Sequence, residues 1–234
     1  MRTIATLEKS KSFWFFFIVS FVFFLLRFPS LFEPYWYGDE GIYHVLGDAI
    51  NKGAILYRDT WDNKPPLLYI IYSVFNSDQF LIRFASIIFG LTSIALFFAL
   101  VKIFFKNQKT QYLTTVLFSV LFGLPLLEGN IANAENFMLA PILASALFIF
   151  NFLKSKNLLL LFLSGILLSI AFLFKIVAIF DFAAFLLFLI FIDKNVFTYL
   201  RKKKITSSLK EILVFILGFL SPILLTSFFF LING

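Results

Sequence analysis

The sequence contains no cysteine, which excludes disulfides and thiol chemistry and leaves the redox compartment unread. Its one histidine, His44, is a poor basis for a metal centre, because such sites gather several ligands. Charge is scarce as well: 14% of residues are charged and 61% hydrophobic, with a mean hydropathy of +0.95. A soluble domain of 234 residues has no interior able to bury that much apolar side chain. Lipid is therefore the solvent for most of the chain. The fold class implied is all-α, a polytopic transmembrane helix bundle. The net charge of +7 does not point to nucleic acid, since the basic residues are spread through short inter-helix segments and one run, Arg201-Lys202-Lys203-Lys204.

What the chain does have is long apolar runs. After a basic lead at residues 1–12, the first span covers 13–32. A cleaved signal peptide is the rival for this segment, but Arg27-Phe28-Pro29 follows in place of a small-residue cleavage site. Residues 65–76 are apolar but too short to cross roughly 30 Å of hydrocarbon, and read as an interfacial helix with prolines in its first turn. Further spans are expected at 84–101, 112–127, 137–153 and 212–232. Residues 158–192 are too long for one crossing and suit two, with the turn near Lys175, although no glycine or proline marks it. The total is about seven spans in a single membrane domain, 1–234, with 33–79 as a long outer loop carrying interfacial helices and 80–234 as the remaining spans.

Charge orients this bundle. Arg2, Lys9, Lys11, Lys102, Lys106, Lys109, Lys154, Lys156, Lys194, Arg201, Lys202, Lys203, Lys204 and Lys210, 14 of the 20 basic residues, fall on the side of the amino terminus. The positive-inside tendency makes that side cytoplasmic. Most carboxylates then lie outside, in the first loop and at Asp78, Glu128 and Glu135. The expected location is the plasma (inner) membrane, with the acidic face exoplasmic.

The informative stretch is residues 33–66, where Glu33, Asp39, Glu40, Asp48, Arg58, Asp59, Asp62 and Lys64 crowd between apolar segments. A polar loop of this length is uncommon unless it has a function. Ile42, Val45, Leu46, Ala49 and Ile50 have helical spacing, and Gly53 is a natural stop. Asp39 reads equally as the N-cap of that helix and as a catalytic carboxylate, with Glu40 as a favourable partner of the helix dipole. Lys64, fixed by Pro65 and Pro66 at the water boundary, suits a lipid phosphate, although lysines there also simply snorkel. Arg58, between Tyr57 and Asp59, either does the same or pairs within the loop. Glu135, at the outer end of the fourth span, gives a second carboxylate if the two outer loops pack together; two such groups near an apolar boundary can divide acid and base roles. Arg83 and Lys175 sit near outer helix ends, where lysine and arginine snorkel by default; the alternative is pairing, of Arg83 with Asp78 and of Lys175 with Asp181, the one acid well inside an apolar run.

The order of a first span, Asp39-Glu40, an amphipathic helix, Tyr57-Arg58-Asp59, Lys64-Pro65-Pro66-Leu67 and Arg83 resembles the amino-terminal half of GT-C-type glycosyltransferases. The nearest branch is that of protein O-mannosyltransferases and lipid A aminoarabinose transferases, and Asn133 to Met138 resembles its second acidic motif. The resemblance implies transfer of a sugar from a polyprenyl-phosphate-linked donor to an acceptor hydroxyl of unknown identity at the exoplasmic face. It makes Asp39, Glu40 and Glu135 the catalytic candidates. Lys64, Arg58, Tyr57, Arg83 and Lys175 become the substrate-binding ones. No metal site is expected, although the resemblance leaves a divalent cation open as a cofactor. Membrane lipids are the other partners, and nucleic acid is not one. Family members carry more spans, so this chain reads as an incomplete or reduced version, with a partner subunit as one consequence. The alternatives are a transporter or lipid flippase, disfavoured because the charge sits in one outer loop and no repeat is visible, and a non-catalytic subunit of a cell-envelope glycan assembly.

Overall fold

A computed structural model describes residues 2–35, 37–191 and 209–233; the basic run at 201–204 lies outside these. Among the described residues the chain is all-α, with no named strand: α1 (Arg2–Arg27), α2 (Gly38–Asn51), α3 (Leu67–Val74), α4 (Gln79–Phe104), α5 (Gln108–Gly123), α6 (Ala134–Ser155), α7 (Leu158–Phe174), α8 (Ile179–Phe191) and α9 (Leu209–Asn233). All seven segments expected to cross are helical. Lys11–Leu31, Gln79–Phe104, Ala134–Ser155 and Leu209–Asn233 are long and apolar enough to span a membrane. The other three, α5, α7 and α8, have 16, 17 and 13 residues. They are about 24, 26 and 20 Å long, against roughly 30 Å of hydrocarbon.

The expected turn at Lys175 is present. α7 stops at Phe174, Lys175 is extended, and one 3-10 turn (Ile176–Ala178) leads into α8. α7 is central, lying against α6 on one side and α9 on the other, and α6 in turn meets α4. The α7–α9 crossing is close because glycine faces glycine. A Cβ on Gly165 would lie 2.3 Å from the Phe215 carbonyl oxygen, and one on Gly218 2.2 Å from that of Phe162. Without a hydrophobic drive between helices in lipid, such backbone approach is a main source of packing energy.

Bonds from Arg83 to Ser30, from Ala132 to Glu40, from Lys175 to Glu135 and from Arg58 to Asn233 gather the end of α1, the starts of α4 and α6, and the ends of α7 and α9 at one end of the bundle. The loop between α1 and α4 is laid over that end, carrying α2 and α3. Tyr43, Tyr69 and Tyr72 from these two helices are fully buried against Phe137 and Phe174, whose rings stack 5.6 Å apart. Helix α2 is turned from the face its apolar residues suggest. Ile42 and Val45 are exposed, while Glu40, Tyr43, Leu46 and Gly47 face inward. The rotation follows from Glu40, whose ionic partner lies on α4.

Candidate active site

Helix α2 begins at Gly38 with Tyr37 as its N-cap and no side-chain cap bond, so Asp39 is not the cap. Its carboxylate is occupied elsewhere. Asp39 Oδ2 accepts from Lys64 Nζ at 2.6 Å and from the Tyr43 hydroxyl at 3.0 Å, and Lys64 Nζ also donates to that hydroxyl at 2.6 Å. Tyr43 is four residues beyond Asp39 on one helix, which puts both on one face. Its ring lies under the lysine ammonium, 4.5 Å from the centroid. The hydrogen bond from Lys64, opposed by burial and reinforced by the Tyr43 bond, holds the Asp39 carboxyl below the ordinary carboxylate range. Burial and the Asp39 charge raise Tyr43 far above a normal phenol, so it stays protonated and donates.

Lys64 is positioned by its backbone. Pro65 and Pro66 follow it, and its carbonyl accepts from the Tyr57 hydroxyl at 2.7 Å. Tyr57 has a left-handed backbone (φ 70°), held by a turn in which its N–H meets the Thr60 carbonyl at 2.6 Å, and its ring packs edge-on against Phe230 of α9. The next acid, Asp62, accepts from the Tyr69 hydroxyl at 2.5 Å. Lys64 and its neighbours open into a groove of ≈ 450 Å³ whose far walls are Phe172 and Leu173 of α7, Ile176, and Ile223 and Phe230 of α9. Thr226 and Ser227 supply hydroxyls on one side, and Trp61 is largely exposed at the rim. The groove is mostly apolar, with Asp62, Asn63 and Lys64 as the polar residues of the loop side.

Glu40, the next residue on α2, turns inward and is fully buried. Arg83 of α4 grips it with two bonds, Nε to Oε1 at 3.1 Å and Nη2 to Oε2 at 2.6 Å, while Ala132 N–H donates to Oε1 at 2.8 Å. The remaining Arg83 nitrogen, Nη1, donates to the carbonyls of Ser30 and Glu33 at 2.6 Å each. Arg83 is therefore not paired with Asp78, which instead caps α4 by accepting from Leu81 N–H. The reason is geometric: the arginine points inward, whereas Asp78 precedes the helix at its exposed edge. Glu40 and Arg83 form the wall beneath the site and fasten four chain segments together: α2, α4, residues 30–33 and the loop before α6.

Lys175 pairs with Glu135 across the α6–α7 seam, and no bond to Asp181 is made. Asp181 lies in the first turn of α8, beyond the 3-10 turn, whereas the start of α6 is alongside. The Glu135–Lys175 pair sits on the same rim as Asp39: the Lys175 charge acts on Asp39, and that of Glu135 on Tyr43. Arg58 pairs within the loop, to Asp59 at 2.8 Å, and also donates to the Asn233 carbonyl at 2.8 Å, closing the last turn of α9. The Arg58 bond, with the Ile55 N–H, lowers Asp59 to about 2. Among the described residues no three His, Cys, Asp or Glu side chains gather as metal ligands. The residue that the sequence leaves unmarked is Tyr43, whose only signal is its i+4 spacing from Asp39.

Residues 64–225 match the family described as dolichyl-phosphate-mannose-protein mannosyltransferase. No curated protein and no solved structure gives a significant match. The match includes Lys64, Arg83, Glu135 and Lys175 and begins after Asp39 and Glu40. Those two are tied to the matched region by the ion pairs just described, Asp39 to Lys64 and Glu40 to Arg83. The matched residues make up more than half of the chain, and the bundle is all-α with apolar helices of spanning length. The chain belongs to the dolichyl-phosphate-mannose-protein mannosyltransferase family, of GT-C type, and is a membrane glycosyltransferase.

Proposed function

We propose that this protein moves a sugar from a polyprenyl-phosphate-linked donor to an acceptor hydroxyl at the outer face of the plasma membrane. The observation that carries the reading is the position of Lys64, at once 2.6 Å from Asp39 and among the residues that line the largely apolar groove. The isoprenoid chain lies along α7 and α9, with its phosphate at the Lys64 ammonium. Asp39 takes the proton of the acceptor hydroxyl as its oxygen attacks the anomeric carbon. The bond from that carbon to the phosphate oxygen breaks, its electron pair stays on the leaving phosphate oxygen, and the Lys64 ammonium neutralises the charge that develops there. General-base assistance is typically worth about 10²–10⁴-fold, and electrostatic stabilisation of a leaving phosphate several kcal/mol more. Glu135 and Lys175 line the acceptor side. Tyr57 and Arg58 shape the loop that holds Lys64, and Glu40 and Arg83 hold α2 in place. The lysines at the opposite helix ends, Lys102 of α4, Lys109 of α5 and Lys154 of α6, support an outward-facing site.

The test is to compare glycans and lipids by mass spectrometry in cells with and without the protein, and to measure polyprenyl phosphate released from a polyprenyl-phosphate sugar in vesicles containing it. Loss of one glycan modification, with lipid phosphate released only in the complete system, is expected; identical glycomes and no release refute the proposal. Glu135→Gln separates function from stability. Its pair with Lys175 is exposed and worth about 0–1 kcal/mol, so the melting temperature hardly moves while transfer falls. Unchanged transfer removes Glu135 from the site.

A further inference from the structure

Lys64 is asked to serve two anions, the Asp39 carboxylate in the structure and the donor phosphate in the reaction, and one ammonium cannot hold both at full strength. We propose that Lys64 is a donor-operated gate on Asp39: an arriving lipid phosphate draws the ammonium off the carboxylate and so arms the base, while Tyr43 keeps that carboxylate in position during the exchange. This rests on the donor reading above and goes beyond it, because it makes the base inactive until donor is present.

Three features support the exchange. The lysine backbone is pinned by two prolines and by the Tyr57 bond to its carbonyl, so only the flexible four-carbon stem moves. Its side chain is about a quarter exposed and already lines the groove, so the path to a phosphate there is short. Tyr43 cannot follow it. The ring is buried, packed edge-on against Tyr69 and Tyr72 with centroids 5.9 and 5.5 Å away, and its hydroxyl proton remains on Asp39. Tyr43 is thus a positioning residue.

Charge sets the direction. With Lys64 in place, the carboxylate is a weak base. Once the ammonium leaves and a negative phosphate arrives, both changes raise its proton affinity. The other charge acting on Asp39 is Lys175 at the α7 end, itself paired with Glu135 of α6, while Glu128 acts on the neighbouring Tyr37. None of these replaces the lost contact. Transfer converts the phosphodiester of the donor into a monoester, whose second ionisation adds charge. The product therefore holds Lys64 more firmly than the donor does, and the gate resets only when polyprenyl phosphate departs.

The experiment is chemical footprinting of the intact protein in phosphatidylcholine nanodiscs, with and without undecaprenyl phosphate. A carbodiimide with an amine nucleophile reports Asp39, an acetylating reagent reports Lys64, and peptide mass spectrometry reads both. Lipid binding is measured separately by native mass spectrometry. The expected result is Asp39 labelling up about five- to tenfold, since one unit of proton affinity is about tenfold in the reactive protonated form, with Lys64 labelling reduced. Undecaprenol, which lacks the phosphate, changes neither. Lys64→Met gives high Asp39 labelling without lipid and no further response, and Tyr43→Phe raises the resting labelling while keeping the response. If undecaprenyl phosphate binds but both labels fall together, or neither changes, the gate is wrong and the donor site stands. If it does not bind at all, the donor reading fails and the gate with it. Resting Asp39 labelling unchanged in Tyr43→Phe removes the positioning role of Tyr43.

Discussion

Asp39→Asn is expected to lower sugar transfer by about two to four orders of magnitude while the protein still inserts and folds. The amide keeps the size of the side chain and cannot take a proton. What it loses structurally is an ion pair whose side chains are 36% and 23% exposed, a class worth about 0–1 kcal/mol. The large effect is therefore on rate and the small one on stability, and the two are read separately by transfer assay and thermal melting. Residual activity above about a tenth of wild type would be too much for a missing general base.

The pH profile follows from the same carboxylate. With Asp39 as the proposed base, the active form is the ionised one, so activity is expected above its pKa and is lost as pH falls through it. Because Lys64 lowers that value in the free protein, the acidic limb of kcat/KM lies below the ordinary carboxylate range. The kcat limb reports the donor complex; with Lys64 engaged by phosphate it lies at higher pH. Asp39 also contributes stability that is present above its unfolded pKa and lost as pH falls through the lowered folded one. Exposure keeps that contribution small.

Much of this arrangement is legible in the sequence, and the parts that are not share a cause. Apolar runs mark the helices because lipid imposes one solvent on long stretches, and charge placed the turn at Lys175 where neither glycine nor proline did. Asp39 and Lys64 could be assigned to one loop. That they touch depends on how α2 is rotated, and the apolar stripe of α2 misleads there because Ile42 and Val45 remain exposed. Proximity in sequence suggests pairing between neighbours, Arg83 with Asp78 and Lys175 with Asp181. The partners are instead Glu40, 43 residues away, and Glu135, 40 residues away. In an antiparallel bundle the ends of distant helices are closer to a side chain than the next turn of its own helix. Tyr43 escapes notice because a tyrosine inside an amphipathic helix reads as core until its hydroxyl is placed.

The Glu40–Arg83 pair carries the largest expected effect on stability. Both side chains are 1% exposed. Glu40→Ala leaves a buried guanidinium without its carboxylate and the Ala132 N–H without its acceptor, and removing one member of such a pair costs about 3–5 kcal/mol. Arg83→Ala strands the glutamate and frees the Ser30 and Glu33 carbonyls, with a similar cost. Replacing both with apolar residues of like volume, Glu40→Leu with Arg83→Met, recovers much of the loss, because no charge then stays buried alone. Thermal unfolding in detergent gives the order: double variant above either single. Arg58→Ala is the control. It breaks an exposed pair, and the melting temperature should hardly move. If Glu40→Ala melts like wild type, the pair does not anchor the loop. The coupling to chemistry follows from adjacency, since Glu40 is the next residue to Asp39 on α2. A double variant that folds yet transfers sugar slowly, with normal binding of undecaprenyl phosphate, would show that the pair sets the aim of the base as well as the stability of the fold.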